Sequence, residues 1–393
     1  MIKMSQTIDK FNDYVMPTYG RLPIVLEKGH DDTAVDENGK QYIDFGSGIG
    51  TNSLGYASDK WVDAVCEQVR SIQHTSNYFY TKVQADFAAK LCRKTGYSNV
   101  FFGNSGAEAN ECAIKIARKY SFDKYGKGRS TIVTLVNSFH GRTIATLSAT
   151  GQEVFHNYFF PFVEGFVNVP ANDIEELRRV IAEDKSICAV MFEFVQGEGG
   201  VNPLDKAFVD EIFRLCAEND ILTVADEVQT GMGRTGALLT SMRYGVKPDI
   251  TTLAKGIAGG IPMGACLAGD KCSDVLVKGT HGSTFGGNPI ACAGANVVID
   301  TVTAEGFCEE VIAKGEYIRN KLSEIPEAEG VDGMGLMLGI RLKSKKAADI
   351  LTAAADKGLL ILTAKEKLRF LPPLTITYEE IDKGLEILKG LLV

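Results

Sequence analysis

The chain has 393 residues, of which 45% are hydrophobic and 23% charged, as is typical of a soluble globular protein large enough for two cores. Its formal net charge of -8 argues against nucleic acid or an anionic membrane surface as a partner. Nine cysteines without a C-x-x-C pair, and five histidines without ligand spacing, favour free thiols and no metal site. The N-terminus lacks a signal-peptide core, and no apolar stretch approaches the ~20 residues of a membrane span, so we expect a cytoplasmic protein.

The first predicted elements form a hairpin within residues 31–45, around Asn38-Gly39, a dipeptide suited to positive φ in a tight turn. From about residue 58 to 300, short apolar runs alternate with amphipathic helices. Such alternation indicates a mostly parallel sheet that helices cover on both faces. The predicted strands are 99–103, 131–136, 187–192, 221–226, 250–254 and 265–268.

The last ninety or so residues change character. Helical patterns near 308–324, 345–357 and 378–392 alternate with predicted strands at 335–342 and 368–376. We therefore predict an α/β fold in three parts. Residues 1–57 join a small domain, residues 58–300 form a large ligand-binding domain, and residues 301–393 form a small α+β domain.

Lys255 and Asp226 each close one of the apolar runs predicted as parallel strands. Open α/β sheets bind ligands beyond the carboxyl ends of their strands, so we expect this amine and this carboxylate in one crevice. Lys255 has no charged neighbour within residues 250–266, and burial would lower its pKa toward the free amine. A lysine nucleophile and a ring-nitrogen acid are the pair that pyridoxal phosphate (PLP) chemistry needs. A solvated lysine and an aspartate that caps a turn are the alternatives.

A second candidate is the run of residues 99–110, which passes from a strand through a glycine-bearing turn into a helix. Ser105 fits the helix N-cap, and Gly106 allows close approach of a ligand to the backbone. The free N–H groups of such a helix start bind phosphate well, although an ordinary capped helix has the same pattern. Residues 46–50 lack the third glycine of a dinucleotide loop, which argues against a nucleotide site there.

Several sequence blocks together resemble one family. They occur in order between YGRLP at 19–23 and LRFLPPL at 368–374, and are NSGAEAN, FHGRT, QGEGG, DEVQTGMGRTG, AKGIAGG and GSTFGGNP. This set resembles the class III PLP-dependent aminotransferases of fold type I, and most closely those that act on acetylornithine. The resemblance covers nearly the whole chain. Phe194 stands where the family usually has Pro, and Tyr78 where it usually has Leu, which bears on the substrate rather than on the cofactor.

The resemblance implies pyridoxal 5'-phosphate as cofactor, with Lys255 and Asp226 as catalytic residues. Lys255 would bind the cofactor aldehyde covalently, and Asp226 would hold the ring nitrogen. The implied cofactor-binding residues are Ser105, Gly106, Ala107, Phe139, Asp226, Glu227, Val228, Gln229, Lys255 and Thr284. The implied substrate-binding residues are Tyr19, Asn77, Arg142, Glu198, Ser283 and Arg369. Thr284 would reach the phosphate in a neighbouring subunit, so a homodimer with shared active sites is implied.

The implied reaction transfers the δ-amino group of N2-acetyl-L-ornithine to 2-oxoglutarate, in arginine biosynthesis. The products are N-acetyl-L-glutamate 5-semialdehyde and L-glutamate, formed by ping-pong kinetics through pyridoxamine phosphate. Succinylornithine, ornithine and 4-aminobutyrate are the alternative amino donors within the family. From other classes, a nicotinamide-dependent dehydrogenase would need the missing G-x-G-x-x-G. A catalytically silent PLP-binding protein is disfavoured by intact Lys255, Asp226 and Arg142.

Overall fold

The computed structural model describes residues 5–393. Its strands, in chain order, are β1 Leu26–His30, β2 Thr33–Asp36, β3 Gln41–Asp44, β4 Asn99–Gly103, β5 Thr131–Leu135, β6 Phe166–Val169, β7 Ile187–Phe192, β8 Val195–Gln196, β9 Asn202–Pro203, β10 Leu222–Asp226, β11 Ile250–Leu253, β12 Gly264–Ala268, β13 Ala328–Met334, β14 Met337–Leu342, β15 Leu359–Leu360, β16 Leu362–Ala364 and β17 Lys367–Phe370.

Its helices vary from single turns to twenty residues. They are α1 Gln6–Tyr14, α2 Ser47–Gly50, α3 Asp59–Ser71, α4 Lys82–Thr95, α5 Gly106–Tyr125, α6 Ile144–Ala149, α7 Ile174–Glu183, α8 Lys206–Asn219, α9 Thr240–Tyr244, α10 Pro289–Val302, α11 Phe307–Ser323, α12 Ala347–Asp356 and α13 Tyr378–Leu392. None of the helices within residues 5–393 is both long and apolar enough to cross a bilayer.

A seven-stranded sheet in the order β4-β12-β11-β10-β7-β5-β6 forms the centre of the molecule. Its neighbours pair in parallel from β11 through β6, whereas β12 runs antiparallel to both β11 and β4. The predicted α/β fold with a mostly parallel sheet is therefore confirmed. Because β4 and β11 both oppose β12, they point the same way as β10 and β7. The carboxyl ends of all four strands meet at one edge of the sheet.

Helices cover both faces of this sheet, which explains why β7 is apolar at every position. Ala189 and Met191 of β7 belong to the core that contains α5, while Val190 and Phe192 belong to the core that contains α8. Side chains of a strand alternate between faces, so from Ala189 to Phe192 successive residues of β7 enter different cores. All six residues of the strand are buried.

The C-terminal part contains a four-stranded antiparallel sheet in the order β13-β14-β17-β16. The predicted helices near 308–324, 345–357 and 378–392 correspond to α11, α12 and α13. The predicted strand at 368–376 was wrong beyond Phe370, because Pro372 and Pro373 carry no N–H for a ladder. The strands β1, β6, β8, β9, β13, β15 and β16 were not predicted from the sequence.

The predicted hairpin is present as β2 and β3, which pair antiparallel. On its other side β3 pairs in parallel with β15, which lies more than three hundred residues later in the chain. This pairing supports the proposal that residues 1–57 associate with the small domain. The three-part division of the chain stays a prediction.

Candidate active site

A cavity of about 420 Å³ opens at the edge where β4, β7, β10 and β11 end. The strands place their following residues around it, since parallel strands present their carboxyl ends at one edge. Ten of the predicted site residues line this cavity. They are Ser105, Gly106, Ala107, Phe139, Arg142, Glu198, Asp226, Val228, Gln229 and Lys255.

Asp226, the last residue of β10, is 3% exposed and is held by three donors. Its Oδ2 accepts from Asn110 Nδ2 at 2.7 Å and from His140 Nδ1 at 2.8 Å. Its Oδ1 accepts from the Val228 N–H at 3.0 Å. The carboxylate is thereby fixed in one orientation at the floor of the cavity, where it can stabilise a positive charge.

Asn110 fixes the same network from the helix side. Its Oδ1 accepts from Thr252 Oγ1 at 2.7 Å, and its Nδ2 also donates to the His140 carbonyl at 2.7 Å. Asn110 and His140 stand in the NSGAEAN and FHGRT blocks, and neither is among the site residues predicted from the sequence. A signal for Asn110 was present, because an amide stands between apolar residues on the face of α5 that the sheet buries.

Glu193 follows β7 directly and is 5% exposed. Its carboxylate accepts from the Phe139 N–H at 2.9 Å and from the Gly197 N–H at 3.3 Å. Burial raises the pKa of Glu193 to about 7, with His140 opposing the shift and Asp226 adding to it. This carboxyl lines the cavity beside Asp226, and sequence reasoning left it without a role.

The raised pKa of Glu193 predicts a pH dependence of apoprotein stability. Its folded-state pKa lies above its ordinary value of 4.5, so its contribution is fully present below 4.5 and is lost as the pH rises through about 7. Glu193→Gln should therefore flatten the fall in the free energy of unfolding between about pH 5 and about pH 8, measured by urea titration.

Glu211 provides the matched control. Hydrogen bonds from Arg214 and Arg178 lower the pKa of Glu211 to about 2, so its contribution is lost only in more acidic solution. Glu211→Gln should leave the change in the free energy of unfolding between about pH 5 and about pH 8 as it is in the wild type. If Glu193→Gln shows the same pH dependence of the free energy of unfolding as the wild type, the raised pKa assigned to Glu193 is contradicted.

Lys255 lies two residues after β11 and lines the cavity. Its backbone has φ +43°, in the left-handed region that L-residues seldom adopt. Burial lowers the pKa of its ammonium, and the negative charge of Glu198 partly opposes the shift. A lysine that loses its proton readily is a competent nucleophile and proton carrier.

The start of α5 forms an anion-binding end of the cavity. Ser105 caps the helix, with its Oγ accepting from the Glu108 N–H at 3.1 Å. The first N–H groups of an α-helix have no partner within the helix, so those of Gly106 and Ala107 can bind a phosphate. A Cβ on Gly106 would lie 2.7 Å from Val228 Cγ1, so only glycine lets the helix start approach the loop after β10.

The middle of the cavity fits a flat aromatic ligand. Phe139 and Val228 both line it, and Gln229 presents a buried Oε1 that accepts no hydrogen bond from residues 5–393. A buried amide oxygen without a partner is rare in proteins, which indicates that a ligand or water completes it. A ring with a polar substituent, a phosphate at the α5 end and a ring nitrogen toward Asp226 matches these groups. The residues therefore fit PLP.

Glu198 and Arg369 form an ion pair of 2.6 Å at the side of the cavity. Arg369 is 4% exposed, and its Nε is unpaired within the described part of the chain. Burial alone would raise the pKa of Glu198. The positive charges of Arg369, Lys255 and Arg142 act against burial, with Arg369 contributing most, and the pKa of Glu198 is lowered as a result. Glu198 is therefore ionised and holds the guanidinium of Arg369.

Arg142 is exposed and lies at the mouth of the cavity. Its guanidinium carbon lies 4.0 Å from the ring centroid of Phe155 and 5.4 Å from that of Phe139. Contacts of this kind hold a guanidinium by attraction to the ring faces and leave its N–H groups free. It can therefore receive a carboxylate from solvent.

Six predicted site residues do not line the cavity of their own chain, and one of them, Arg369, reaches it only through its ion pair with Glu198. Tyr19 is 75% exposed, and Thr284 is exposed as well. Asn77 Nδ2 donates to the carbonyl groups of Ser283 and Gly286, at 3.0 Å each. The loops around residues 77 and 283 are thus tied together outside the cavity.

Glu227 is the sixth, although it follows Asp226 directly. Its buried carboxylate accepts from the N–H groups of Thr240 at 2.5 Å and Ser241 at 2.9 Å, at the start of α9. Burial raises the pKa of Glu227, while these two donors oppose the shift. Its carboxylate therefore holds the loop in place rather than facing a ligand in the cavity.

The family profile and the sequence relatives of this chain indicate the same family. The profile of the family "Aminotransferase class-III" matches residues 14–392. Acetylornithine aminotransferase from Haemophilus ducreyi is 49% identical over 97% of this chain and 96% of its own length. The corresponding protein of Aquifex aeolicus is 44% identical over 96% of this chain and 100% of its own length.

Solved structures agree with the sequence relatives. The ornithine aminotransferase from Toxoplasma gondii superposes with a TM-score of 0.93 at 31% identity, covering 98% of this chain and 93% of that one. N-acetylornithine aminotransferase from Stenotrophomonas maltophilia has a TM-score of 0.85 at 35% identity, covering 98% and 97%. The predicted PLP-dependent transferase fold of type I is confirmed. The chain therefore belongs to the class III aminotransferases, with pyridoxal phosphate as its cofactor.

Proposed function

We propose that this enzyme transfers the δ-amino group of N2-acetyl-L-ornithine to 2-oxoglutarate, in arginine biosynthesis. The observation that carries the proposal is one cavity with Lys255 and Asp226 at its floor and the Glu198–Arg369 pair at its side. Relatives named acetylornithine aminotransferase at 43–49% identity support the choice of amino donor. Family membership leaves the dehydrogenase alternative without support.

In this proposal the cofactor, once bound, supplies an electron sink for the carbon that loses its proton. Asp226 would hold the ring nitrogen, because three donors fix its carboxylate and aim it at one point. The N–H groups of Gly106 and Ala107, with Ser105, would hold the phosphate. Phe139 and Val228 would contact opposite faces of the ring, and Gln229 would lie beside its hydroxyl.

Lys255 would have two tasks in this proposal. Its Nζ would hold the cofactor before the amino donor arrives, and would then carry a proton between the donor carbon and the cofactor. Both tasks require an amine that is unprotonated near neutral pH, and burial lowers the pKa of Lys255 in that direction. Arg142 would bind the α-carboxylate of the donor at the cavity mouth.

The Glu198–Arg369 pair would adapt the site to two different substrates. 2-Oxoglutarate carries a second carboxylate on its reacting carbon, where the reacting carbon of the donor carries only hydrogen, so one pocket must accept both. With the amino donor, Glu198 neutralises Arg369, and a desolvated charge is avoided. With 2-oxoglutarate, Glu198 would move aside and Arg369 would bind the incoming carboxylate.

A homodimer with shared sites accounts for the residues outside the cavity. Tyr78 and Tyr80 are fully or almost fully exposed, and Phe285, next to Thr284, is 59% exposed. Helix α1 buries none of its residues. Clusters of exposed aromatic residues mark protein interfaces, so we propose that a second copy covers them and contributes Thr284, Tyr19 and Asn77.

We also propose that the enzyme works in the cytoplasm. Six buried free thiols are consistent with that reducing compartment.

The proposed donor is tested by comparing kcat/KM for N2-acetyl-L-ornithine, succinylornithine, ornithine and 4-aminobutyrate, each with saturating 2-oxoglutarate. We expect the acetylated donor to exceed ornithine and 4-aminobutyrate by about tenfold or more, since a site built for one polar group discriminates well against its absence. A higher value for any other amine would overturn the choice of donor. Bound cofactor without turnover of any amine would support the catalytically silent alternative.

A further inference from the structure

Arg234 belongs to the glycine-rich loop between β10 and α9, and the proposed reaction gives it no role. Its side chain is 2% exposed. Its Nη1 donates to the Leu336 carbonyl at 3.1 Å and to the Pro372 carbonyl at 2.5 Å. Its own carbonyl accepts from the Leu336 N–H at 3.1 Å. One residue of the loop after Asp226 thus holds two segments of the C-terminal part.

The charge of Arg234 is buried without a compensating carboxylate in the described residues. Desolvation alone lowers the pKa of the guanidinium to about 9, which still leaves it protonated at neutral pH. Its Nη2 is buried and unpaired in the same set of residues. A buried charge held only by carbonyl groups costs free energy, so a neutral side chain would be favoured if packing were the whole requirement.

The segment that Arg234 holds leads directly to Arg369. Pro372 lies three residues after Arg369, just beyond the end of β17. Pro372 and Pro373 have no N–H to donate, so this segment cannot fix itself through a strand ladder. It depends on contacts from outside, such as the Leu371 N–H to the Phe45 carbonyl at 2.7 Å.

Arg234 links this segment to the cofactor-binding side of the cavity. The loop that carries Arg234 begins at Asp226 and includes Val228 and Gln229, which line the cavity. Its guanidinium is therefore a direct connection between the residues predicted to hold the ring and the strand that carries Arg369. The distance between the two ends of a bound dicarboxylate depends on that connection.

We propose that Arg234 is a positioning residue that sets the place of Arg369 relative to Lys255, and so determines how well the site accepts a dicarboxylate. This inference rests on the proposed function. It predicts an asymmetry between the two half-reactions. With the amino donor, Arg369 stays paired with Glu198 and its position matters little. With 2-oxoglutarate, Arg369 must meet a carboxylate, and displacement of β17 weakens that contact.

The test uses holoenzyme carrying Arg234→Met or Arg234→Lys and follows each half-reaction in single turnovers. The 2-oxoglutarate half-reaction starts from apoenzyme loaded with pyridoxamine phosphate, so it does not require the proposed donor. For Arg234→Met we expect the concentration of 2-oxoglutarate that gives half-saturation to rise about tenfold to a hundredfold. This is the scale expected when a binding group is misplaced by about 1 Å. The rate and half-saturation for the amino donor should stay within about threefold.

Arg234→Lys keeps the charge and one donor, so it should show the same asymmetry at a smaller size. If Arg234→Met does not fold, the two half-reactions of Arg234→Lys test the proposal instead. Calorimetric binding of glutarate, an unreactive dicarboxylate, should weaken in parallel with half-saturation. Failure of the proposed function would differ, because wild-type enzyme would then be inert toward N2-acetyl-L-ornithine.

Arg319 is the matched control. Its guanidinium also donates to two backbone carbonyls, those of Val331 and Gly333, but it lies on α11 away from the cavity. Arg319→Met should leave both half-saturations within about threefold of wild type. Unchanged half-saturation by 2-oxoglutarate in both Arg234 variants would overturn the proposal. So would equal changes in both half-reactions, or an Arg319→Met effect as large as that of Arg234→Met.

Discussion

Replacing Lys255 with alanine should reduce turnover by about 10⁴-fold or more. A positioned proton carrier contributes about 10²–10⁴-fold by itself, and the variant also loses the amine that would hold the cofactor covalently. Folding should be little affected, because the lost side chain is an amine that burial holds below its ordinary pKa. Steady-state kinetics, together with the absorbance spectrum of the loaded protein, measures both consequences.

Lys314 is the control for Lys255. It is also buried, and burial likewise lowers its pKa. It lies on α11, with its Nζ 3.4 Å from the Leu374 carbonyl, and it does not line the cavity. Lys314→Ala should keep turnover within about threefold of wild type. Turnover in Lys255→Ala that stays within about tenfold of wild type would refute the role assigned to Lys255.

Replacing Asp226 with alanine should lower kcat by about 10³-fold, because the negative charge that keeps the ring nitrogen protonated is lost. The variant also leaves Asn110 Nδ2 and His140 Nδ1 without their acceptor, at a cost of about 1.5–3 kcal/mol in the free energy of unfolding. Asp226→Asn keeps the shape without the charge, so its kcat should fall nearly as far while its stability falls less. Kinetics and urea unfolding separate the two effects.

Asp249 offers a comparison at the opposite edge of the sheet. Its carboxylate accepts from the N–H and Oγ1 of Thr223, at 2.8 and 2.9 Å. Asp249→Ala should destabilise the fold by a similar amount and leave kcat of the remaining folded enzyme within about threefold. If Asp226→Ala and Asp249→Ala lower kcat alike, the acid has been assigned wrongly.

The core of the site could be predicted because strand ends are visible in a sequence. Asp226 and Lys255 each follow an apolar run, and the topology rule for parallel sheets places such ends together. The rule does not predict which way each side chain points. Glu227 has the same carboxylate chemistry as its neighbour Asp226, yet it faces Thr240 and Ser241 because successive residues point to different sides.

Long-range partners account for most of what sequence reasoning missed. Asn110 and Asp226 are 116 residues apart, and no local pattern connects them. The direction of β12 was equally hidden, since an apolar run looks the same whether the strand runs parallel or antiparallel. The edge strand β6 is only partly buried, so its apolar signal is weak. The roles of Thr284, Tyr19 and Asn77 depend on a second copy and stay predictions.

The central claim is that Lys255 binds pyridoxal phosphate covalently. Reduction of the holoenzyme with borohydride converts that bond into a stable amine, and digestion followed by mass spectrometry locates it. The account predicts the label on the peptide that contains Lys255 and on no other lysine. A label at a different lysine, or no label on protein that is fully loaded with cofactor, would contradict it.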